Sequence, residues 1–252
     1  MKQYLYILMC SCFLMTMTNC SDLDPLPWTQ NDAFITTKYD ADSVIVHGLS
    51  LYSRSNKRLL SSQATSPSGE QQTMNVYMQS QPYEFLWNTS DADFSIDLPE
   101  AGTYSFEAYT KDDNEKIIGT DVLKNKYILP TKVVTCAFDS INSKLSLVWR
   151  KVEGASYSVL FIKNEANQDV YATTTLAAND TVETITKESK NWLSVDYLNQ
   201  VEGAYVPTDG EELTIHIVTY KKDANDVDET LLDAQSVTDY NFIWKDKIEI
   251  AE

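Results

Sequence analysis

Histidine, cysteine and glycine are scarce in this chain of 252 residues, which contains 2 His, 4 Cys and 7 Gly. Three of the cysteines lie within the first 20 residues, so the rest of the chain keeps one thiol, Cys136, and can form no internal disulfide. Zinc sites need several His or Cys ligands, and His47 and His216 are far apart in the sequence. With so few glycines, no Gly-rich phosphate-binding loop and no Gly-x-Ser-x-Gly motif occurs. We therefore expect neither a metal nor a cofactor.

Positive charge is also in deficit. The chain carries 20 Lys and Arg against 37 Asp and Glu, a formal net charge of −17. A polyanion of this size repels nucleic acid phosphates, which excludes electrostatic binding of DNA or RNA. Apolar residues nevertheless make up 43% of the chain, which is enough for a hydrophobic core and unlike a disordered chain.

Several carboxylates are neighbours in the sequence, at 91–93, 112–113 and 211–212. A glycosidase needs two carboxyl groups about 5–10 Å apart across a cleft. Sequence neighbours on a strand point to opposite faces, and these pairs fall at predicted turns. We expect solvated turns here, no catalytic residue and no enzymatic activity.

The acidic segment 223–229 has two interpretations. Its side-chain oxygens are suited to calcium, but it lacks the glycine that an EF-hand loop requires. A solvated hairpin tip is the favoured interpretation in so acidic a protein. His216 alternates with Ile215 and Ile217, which predicts a side chain that points outward from a strand.

One long apolar run is present, at residues 4–15, behind the single positive charge of Lys2. It is too short and too close to the N terminus for an ordinary membrane span, and is typical of a signal peptide. The residues that follow, Met17-Thr18-Asn19-Cys20, resemble a bacterial lipobox. The resemblance implies that 1–19 is a cleaved leader and that Cys20 carries the lipid. An ordinary signal peptide cleaved nearby, or a short N-terminal anchor, is the alternative.

The segment 21–25, Ser-Asp-Leu-Asp-Pro, resembles the acidic surface-export signal of Bacteroidetes lipoproteins. This resemblance implies a protein held in the outer membrane by its N-terminal lipid and exposed at the cell surface, with the periplasmic face as the alternative. Residues 20–31 contain two prolines and no periodicity, which indicates a tether between the lipid and the folded part.

Short runs with a period of two follow along the chain, for example at 74–78, 104–108, 145–149 and 213–217. This alternation predicts half-buried strands, and the turn residues between them favour antiparallel sandwiches. Pro130 suits a boundary between sheets. We therefore predict an all-β chain of two consecutive sandwiches, 32–129 and 130–252. The polar stretch 53–72 is expected to be a long exposed loop.

Two segments resemble known β-sandwich families. Pro99-Glu100-Ala101-Gly102-Thr103-Tyr104 resembles a late strand of PKD-like and other Ig-like modules, which implies a turn at Gly102 and a corner packed by Tyr104. Residues 144–159 resemble a fibronectin type III domain, which implies that Trp149 and Tyr157 lie in its core. The segments 194–200 and 206–210 depart from that family and are similar to SusE-like outer-membrane lipoproteins of glycan-uptake systems.

Exposed aromatic rings are the remaining candidates for a site, because sugars stack their C–H faces on such rings. Trp192 and Tyr205 lie in the least regular part of the second half, and Trp244 ends its last strand. These three residues are the candidate glycan-stacking residues, with a position in the core as the alternative.

The sequence therefore favours a noncatalytic cell-surface lipoprotein that binds glycan or assists a polysaccharide-uptake system. Its expected partners are the membrane, through the lipid, and polysaccharide or outer-membrane transport proteins. The alternative is a structural or adhesive surface module that mediates protein–protein contact. Sandwich folds support both functions, so the fold alone does not choose between them.

Overall fold

The computed structural model describes residues 25–77, 82–139, 141–142, 144–193, 204–224 and 231–245. Regular structure in these ranges is almost entirely β-strand, which confirms the predicted all-β class. Within them, no helix is long and apolar enough to cross a bilayer. The predicted leader, Cys20 and the first part of the tether lie outside the described residues.

Among the described residues, eight strands form in the first half of the chain and eight in the second. The first eight are β1 (Thr29–Tyr39), β2 (Ile45–Ser55), β3 (Leu59–Thr65), β4 (Gln71–Thr73), β5 (Asn75–Val76), β6 (Glu84–Asn88), β7 (Gly102–Thr110) and β8 (Lys116–Leu123), with a 3-10 turn at Asp91–Asp93. The others are β9 (Val133–Asp139), β10 (Lys144–Trp149), β11 (Tyr157–Lys163), β12 (Asp169–Ala172), β13 (Leu176–Ala177), β14 (Val182–Thr186), β15 (Glu212–Lys222) and β16 (Leu232–Ile243).

Each half has its own hydrophobic core. In the first, the sheet β4-β3-β7-β8 covers one face of β1, β2 and β6. The buried side chains there include Ile35, Leu51, Phe85 and Phe106. Each of them is at most 3% exposed, so this core is closed to solvent.

The second core lies between the sheet β14-β10-β9 and the strands β11, β15 and β16. Leu147, Leu160, Ile162 and Ile215 are fully buried in it. The alternation of β10 and β15 predicted the inward positions of Leu147 and Ile215, because a period of two places every second side chain on one face.

One sheet runs through both halves, in the order β12-β11-β15-β16-β1-β2-β6-β5. Its central pair, β1 and β16, is parallel, with Ile35 opposite Ala234 and Thr37 opposite Ser236. The other pairs in the order are antiparallel. Both cores therefore lie on the same face of this long sheet, and its opposite face belongs to neither.

Charged groups reinforce the junction of β1 with β16. Asp32 accepts a hydrogen bond from the backbone N–H of Leu232 at 2.8 Å. Asp233, whose side chain is 3% exposed, lies 3.4 Å from Lys124 Nζ and 2.8 Å from Lys126 Nζ. Both lysines follow β8, so these ion pairs attach the segment between the halves to β16.

A small apolar cluster closes the same region. Ile128, from the segment between β8 and β9, packs with Val152 and Ala234, and the three are 3%, 7% and 0% exposed. Burying Ile128 removes it from water and contributes about 2 kcal/mol. The halves therefore share a sheet, ion pairs and apolar contacts.

Two local expectations are wrong. Strand β1 begins at Thr29, so the last residues of the predicted tether belong to the sheet. The predicted loop at 53–72 contains β3 and most of β4. In β3 the inward positions after Leu59 are taken by Ser62 and Ala64, each 1% exposed. These small side chains give little hydrophobic signal, which concealed the strand.

Tyr104, near the start of β7, packs at the corner before this strand, at the position expected for it. The Tyr104 hydroxyl donates to the backbone carbonyl of Glu100 at 2.9 Å, which ties the strand to the turn before it. Gly102 has φ of 138°, and a Cβ there would lie 2.8 Å from the Pro67 ring. Glycine is needed at this position both for the backbone conformation and for the close approach.

The fibronectin-like expectation is half correct. Trp149 is 4% exposed and lies in the second core, as expected. Tyr157 lies on the opposite face of the long sheet, where its ring stacks on Tyr220 with centroids 4.8 Å apart. Ser158 and Leu160 occupy the inward positions of β11, so the position of Tyr157 in the core was wrongly expected.

Candidate functional site

The three predicted glycan-stacking residues come together, but inside the protein. The Trp192 ring lies 5.9 Å from Tyr205 and 5.6 Å from Trp244, centroid to centroid. Trp192 is 5% exposed and Trp244 is fully buried. Tyr205 is partly buried and packs against the same core.

Polar contacts fix these rings in the interior. Trp192 Nε1 donates to the carbonyl of Thr186 at 2.8 Å, and the Tyr205 hydroxyl donates to Glu211. The expectation that Trp192 and Trp244 face solvent is therefore wrong. Trp192 and Trp244 belong to the second core, and Tyr205 packs against it, so these large rings fill part of the interior. A buried ring has no free face for a sugar.

The other predicted side chains are accounted for separately. His216 points outward from β15, as predicted, and its Nδ1 lies 2.6 Å from Asp239 Oδ1. His47 is buried at 8% exposure and packs edge-on against Tyr127. Burial raises the pKa of Cys136 to about 11, which keeps this thiol protonated and poorly nucleophilic at neutral pH.

A metal site receives no support from the described ranges, where no group of three or more His, Cys, Asp or Glu is placed to hold an ion. The acidic segment proposed above for calcium lies largely outside those ranges. Its first residue, Asp223, is described and forms an ion pair with Lys124 at 2.8 Å.

A polar cleft of about 550 Å³ lies on the face of the long sheet that neither core uses. We call it the junction cleft, because both halves of the chain line it. Its floor comes from β1 and β16, at Thr36, Gln235, Val237 and Asp239. The parallel pairing of β1 with β16 creates this floor, so the cleft exists only when the two halves are joined.

Each half supplies one wall of the junction cleft. The first wall is formed by β2 and the turn after β6, with Asn88, Asp91 and Phe94. The second is formed by β11, β15 and the turn after β11, with Lys163 and His216 among its side chains. A somewhat larger depression of about 640 Å³ near Tyr157 is lined by the second half alone.

Two apolar side chains mark the limit of the cleft at one end. Phe34 and Val218 lie on the cleft face of the sheet, yet each is 4% exposed. The cleft face of the sheet is therefore covered at that end.

Hydrogen bonds within the junction cleft hold its side chains in place. Thr36 and Ser50 share one at 2.6 Å, and the Thr214 hydroxyl donates to Asn241 at 2.9 Å. The amide of Gln235, partly buried on the floor, has no side-chain hydrogen bond within the described part of the chain. The cleft therefore combines polar groups that are held by hydrogen bonds with an amide, that of Gln235, whose side-chain hydrogen bonds are not taken up by the described side chains.

Charges of both signs are present in the cleft. Lys38 forms an ion pair with Asp91 and lies 4.0 Å above the Phe94 ring. Burial alone would raise the pKa of Asp239, but the hydrogen bond from His216 and the charges of His216, Lys163 and Lys38 outweigh it, and the pKa is lowered. Asp239 is thus ionised at neutral pH.

Sequence reasoning missed the junction cleft. Outward alternation identified His216 as solvent-facing, but it gave no sign that β1 would lie beside β16. That pairing aligns Ile35 with Ala234, 199 positions further along the chain, and no local pattern reports on a contact over that distance.

Comparison with known proteins identifies no family. No family model matches the chain, and no curated protein matches it. The fold and the cleft define it as an all-β protein of joined sandwiches with a polar cleft at the junction.

Two solved structures show a low-level likeness. One is the BSP domain of a biofilm-associated protein, with 13% identity and a TM-score of 0.23, covering 90% of this chain and 30% of that one. The other is a tetra-tandem repeat in the extending region of a large adhesion protein, with 12% identity, a TM-score of 0.24, and coverage of 84% and 49%. TM-scores of this size establish neither a shared fold nor a shared function.

Proposed function

We propose that this chain is a lipid-anchored, noncatalytic surface protein whose folded body is a structural or adhesive module. The observation that carries the proposal is the continuous sheet through both halves. Two sandwiches joined only by a flexible linker reorient freely. Here a hydrogen-bonded strand pair, two lysine–aspartate contacts and an apolar cluster connect them. We take 32–129 and 130–252 as the two sandwiches that this junction joins.

A joined pair of sandwiches suits a protein that presents a contact surface at a fixed orientation. A contact or pulling force applied to one half passes to the other through the strand pair, rather than through a loop. This rigidity supports the structural and adhesive interpretation over a transport accessory that must change shape.

The N-terminal segment supports attachment close to the membrane. Eight residues lie between Cys20 and Thr29, where β1 begins, and the nine Cα-to-Cα steps of a fully extended chain span about 30 Å. If Cys20 carries the lipid, the sheet begins within that distance of the bilayer. The lipid then serves as the anchor, and the body projects from it.

The absence of catalysis is part of the proposal. The sequence-adjacent carboxylates lie in turns or at a strand end, and Asp91, Asp93, Asp112 and Asp113 are exposed. Exposed carboxylates in turns lack the apolar setting that raises the pKa of a general acid. This placement supports a role in solubility.

The test is a cell-attachment assay with three otherwise identical strains. One carries the full chain, one lacks it, and one carries Cys20→Ser. We expect the full chain to raise the shear that attached cells resist severalfold, both on protein-coated surfaces and between cells. The Cys20→Ser strain should match the deletion and release the protein from the membrane fraction. Equal attachment in all three strains would contradict the adhesive role, and a membrane-bound Cys20→Ser protein would contradict lipidation.

A further inference from the structure

We propose that the junction cleft binds a short, uncharged saccharide. This site is separate from the aromatic residues that the sequence singled out, and the proposed surface role assigns no ligand to it.

The lining is rich in groups that both donate and accept hydrogen bonds. Five of its side chains are amides, and serines or threonines lie between them. A sugar hydroxyl donates one hydrogen bond and accepts others, so it is matched by amides, hydroxyls and carboxylates at fixed positions. Gln235, on the floor, has a side-chain amide that forms no hydrogen bond with a side chain of the described residues. Asp239 adds an ionised acceptor, and charge-assisted hydrogen bonds are the stronger ones.

The positions of these groups are set by strands rather than by loops. Gln235, Asp239 and Asn241 alternate along β16, with Thr214 and His216 opposite on β15. Pairs such as Thr214 with Asn241 are already bonded to each other. A site built on paired strands loses little conformational entropy when a ligand binds, which favours affinity.

Other ligand classes fit the lining less well. Val237 and Phe94 are its apolar side chains, and the Phe94 ring lies between Gly48 and Lys38. An apolar ligand therefore finds little surface to bury. Polyanions meet the carboxylates of Asp91, Glu165 and Asp239, while polycations meet two lysines. The volume of about 550 Å³ lies in the range of small-ligand sites and admits a ligand of a few sugar rings.

The experiment uses the soluble body, residues 21–252, and a panel of neutral oligosaccharides. The panel contains glucose-, mannose-, galactose- and xylose-based chains of three to six sugars, immobilised for screening and then titrated by calorimetry. We expect at least one to bind, with Gln235→Ala weakening that binding at least tenfold. Gln63→Ala is the matched control, because Gln63 is also a partly buried strand glutamine but lies on β3, outside the cleft. It should bind as the wild type does.

A second variant fills the cleft instead of removing a group. Thr214→Trp places a large ring on the wall of the cleft, at a strand position that tolerates aromatic residues, and it should abolish binding while the circular dichroism spectrum stays unchanged. The proposal is overturned if no saccharide in the panel binds. It is equally overturned if neither Gln235→Ala nor Thr214→Trp changes the affinity for the saccharide that binds. The same holds if the cleft variants change only the attachment to protein-coated surfaces. A positive result leaves the attachment assay to decide the surface role independently.

Discussion

The two faces of the long sheet differ in how they are specified. On the inner face, Leu213, Ile215 and Ile217 of β15 are at most 2% exposed and form part of the second core. On the opposite face, Thr214 and His216 of the same strand line the junction cleft. The inner face follows from local alternation. The cleft follows from a strand pair between distant parts of the chain. The local sequence pattern is therefore sufficient to predict the inner face of the sheet, but it is not sufficient to predict the cleft.

The largest effect is expected on the inner face, at Trp244. Trp244→Ala should lower the free energy of unfolding by about 3–5 kcal/mol, because it removes a fully buried ring and leaves a cavity. Trp28→Ala is the control, since Trp28 is 47% exposed and its loss should cost less than about 0.5 kcal/mol. Urea denaturation measures both. Similar small losses for the two variants would place Trp244 at the surface.

The junction is probed by Asp233→Ala. This change leaves Lys124 and Lys126 without their shared partner, although both lysines, 36% and 42% exposed, can still be hydrated. We expect a loss of about 2 kcal/mol, below the range for a fully buried pair. Asp91→Ala removes a carboxylate that is 95% exposed and should cost less than about 1 kcal/mol. Equal losses in thermal unfolding would show that the Asp233 contacts do not stabilise the junction.

The pH dependence of stability reports on His47. Burial lowers its pKa below the ordinary value of 6.5. The unfolded chain therefore binds this proton more readily than the folded protein does, and stability falls as the pH drops below 6.5, until it levels off beneath the folded-state pKa. His47→Gln should flatten this part of the curve of urea midpoint against pH, while His216→Gln, which retains His47, keeps the fall. An unchanged curve in His47→Gln would assign the fall to other groups.

The smallest effect is expected at Ser236, which faces Thr37 across the junction. Its hydroxyl is buried and has no hydrogen-bond partner among the described residues. Ser236→Ala should raise the free energy of unfolding by about 1 kcal/mol, because it removes an unsatisfied polar group. Ser50→Ala breaks the hydrogen bond with Thr36 and should shift it by about 1 kcal/mol in the opposite direction. A loss of stability in both variants would mean that the Ser236 hydroxyl has a partner.

Much of the fold could be predicted from the sequence, for identifiable reasons. Alternation of apolar and polar residues is a local property, so it located β7, β10 and β15. The Pro-x-x-Gly-Thr-Tyr motif predicted the Tyr104 corner because its geometry needs only a few consecutive residues. Strand β3 was missed because only Leu59 among its inward residues is strongly hydrophobic, and the other two, Ser62 and Ala64, are small.

The candidate site could not be predicted in the same way. Trp192 lies in irregular sequence and Trp244 directly follows β16, and only their packing in the second core decides that both are buried. Most residues that line the junction cleft are polar, and they come from strands and turns far apart in the sequence. Only the pairing of β1 with β16 brings the two halves of the lining together. The position of a side chain on a strand is local information, whereas its partner across a junction is not.

Native-state hydrogen exchange, measured by NMR on the soluble body, tests the central claim most directly. That claim is that one sheet joins both halves through residues 35–37 and 234–236. The account predicts that amides pointing across this pair exchange as slowly as those in the core strands β7 and β10, because they open only with global unfolding. Fast exchange of those amides, with β7 and β10 still protected, would mean that the halves are not joined and that the junction cleft does not exist.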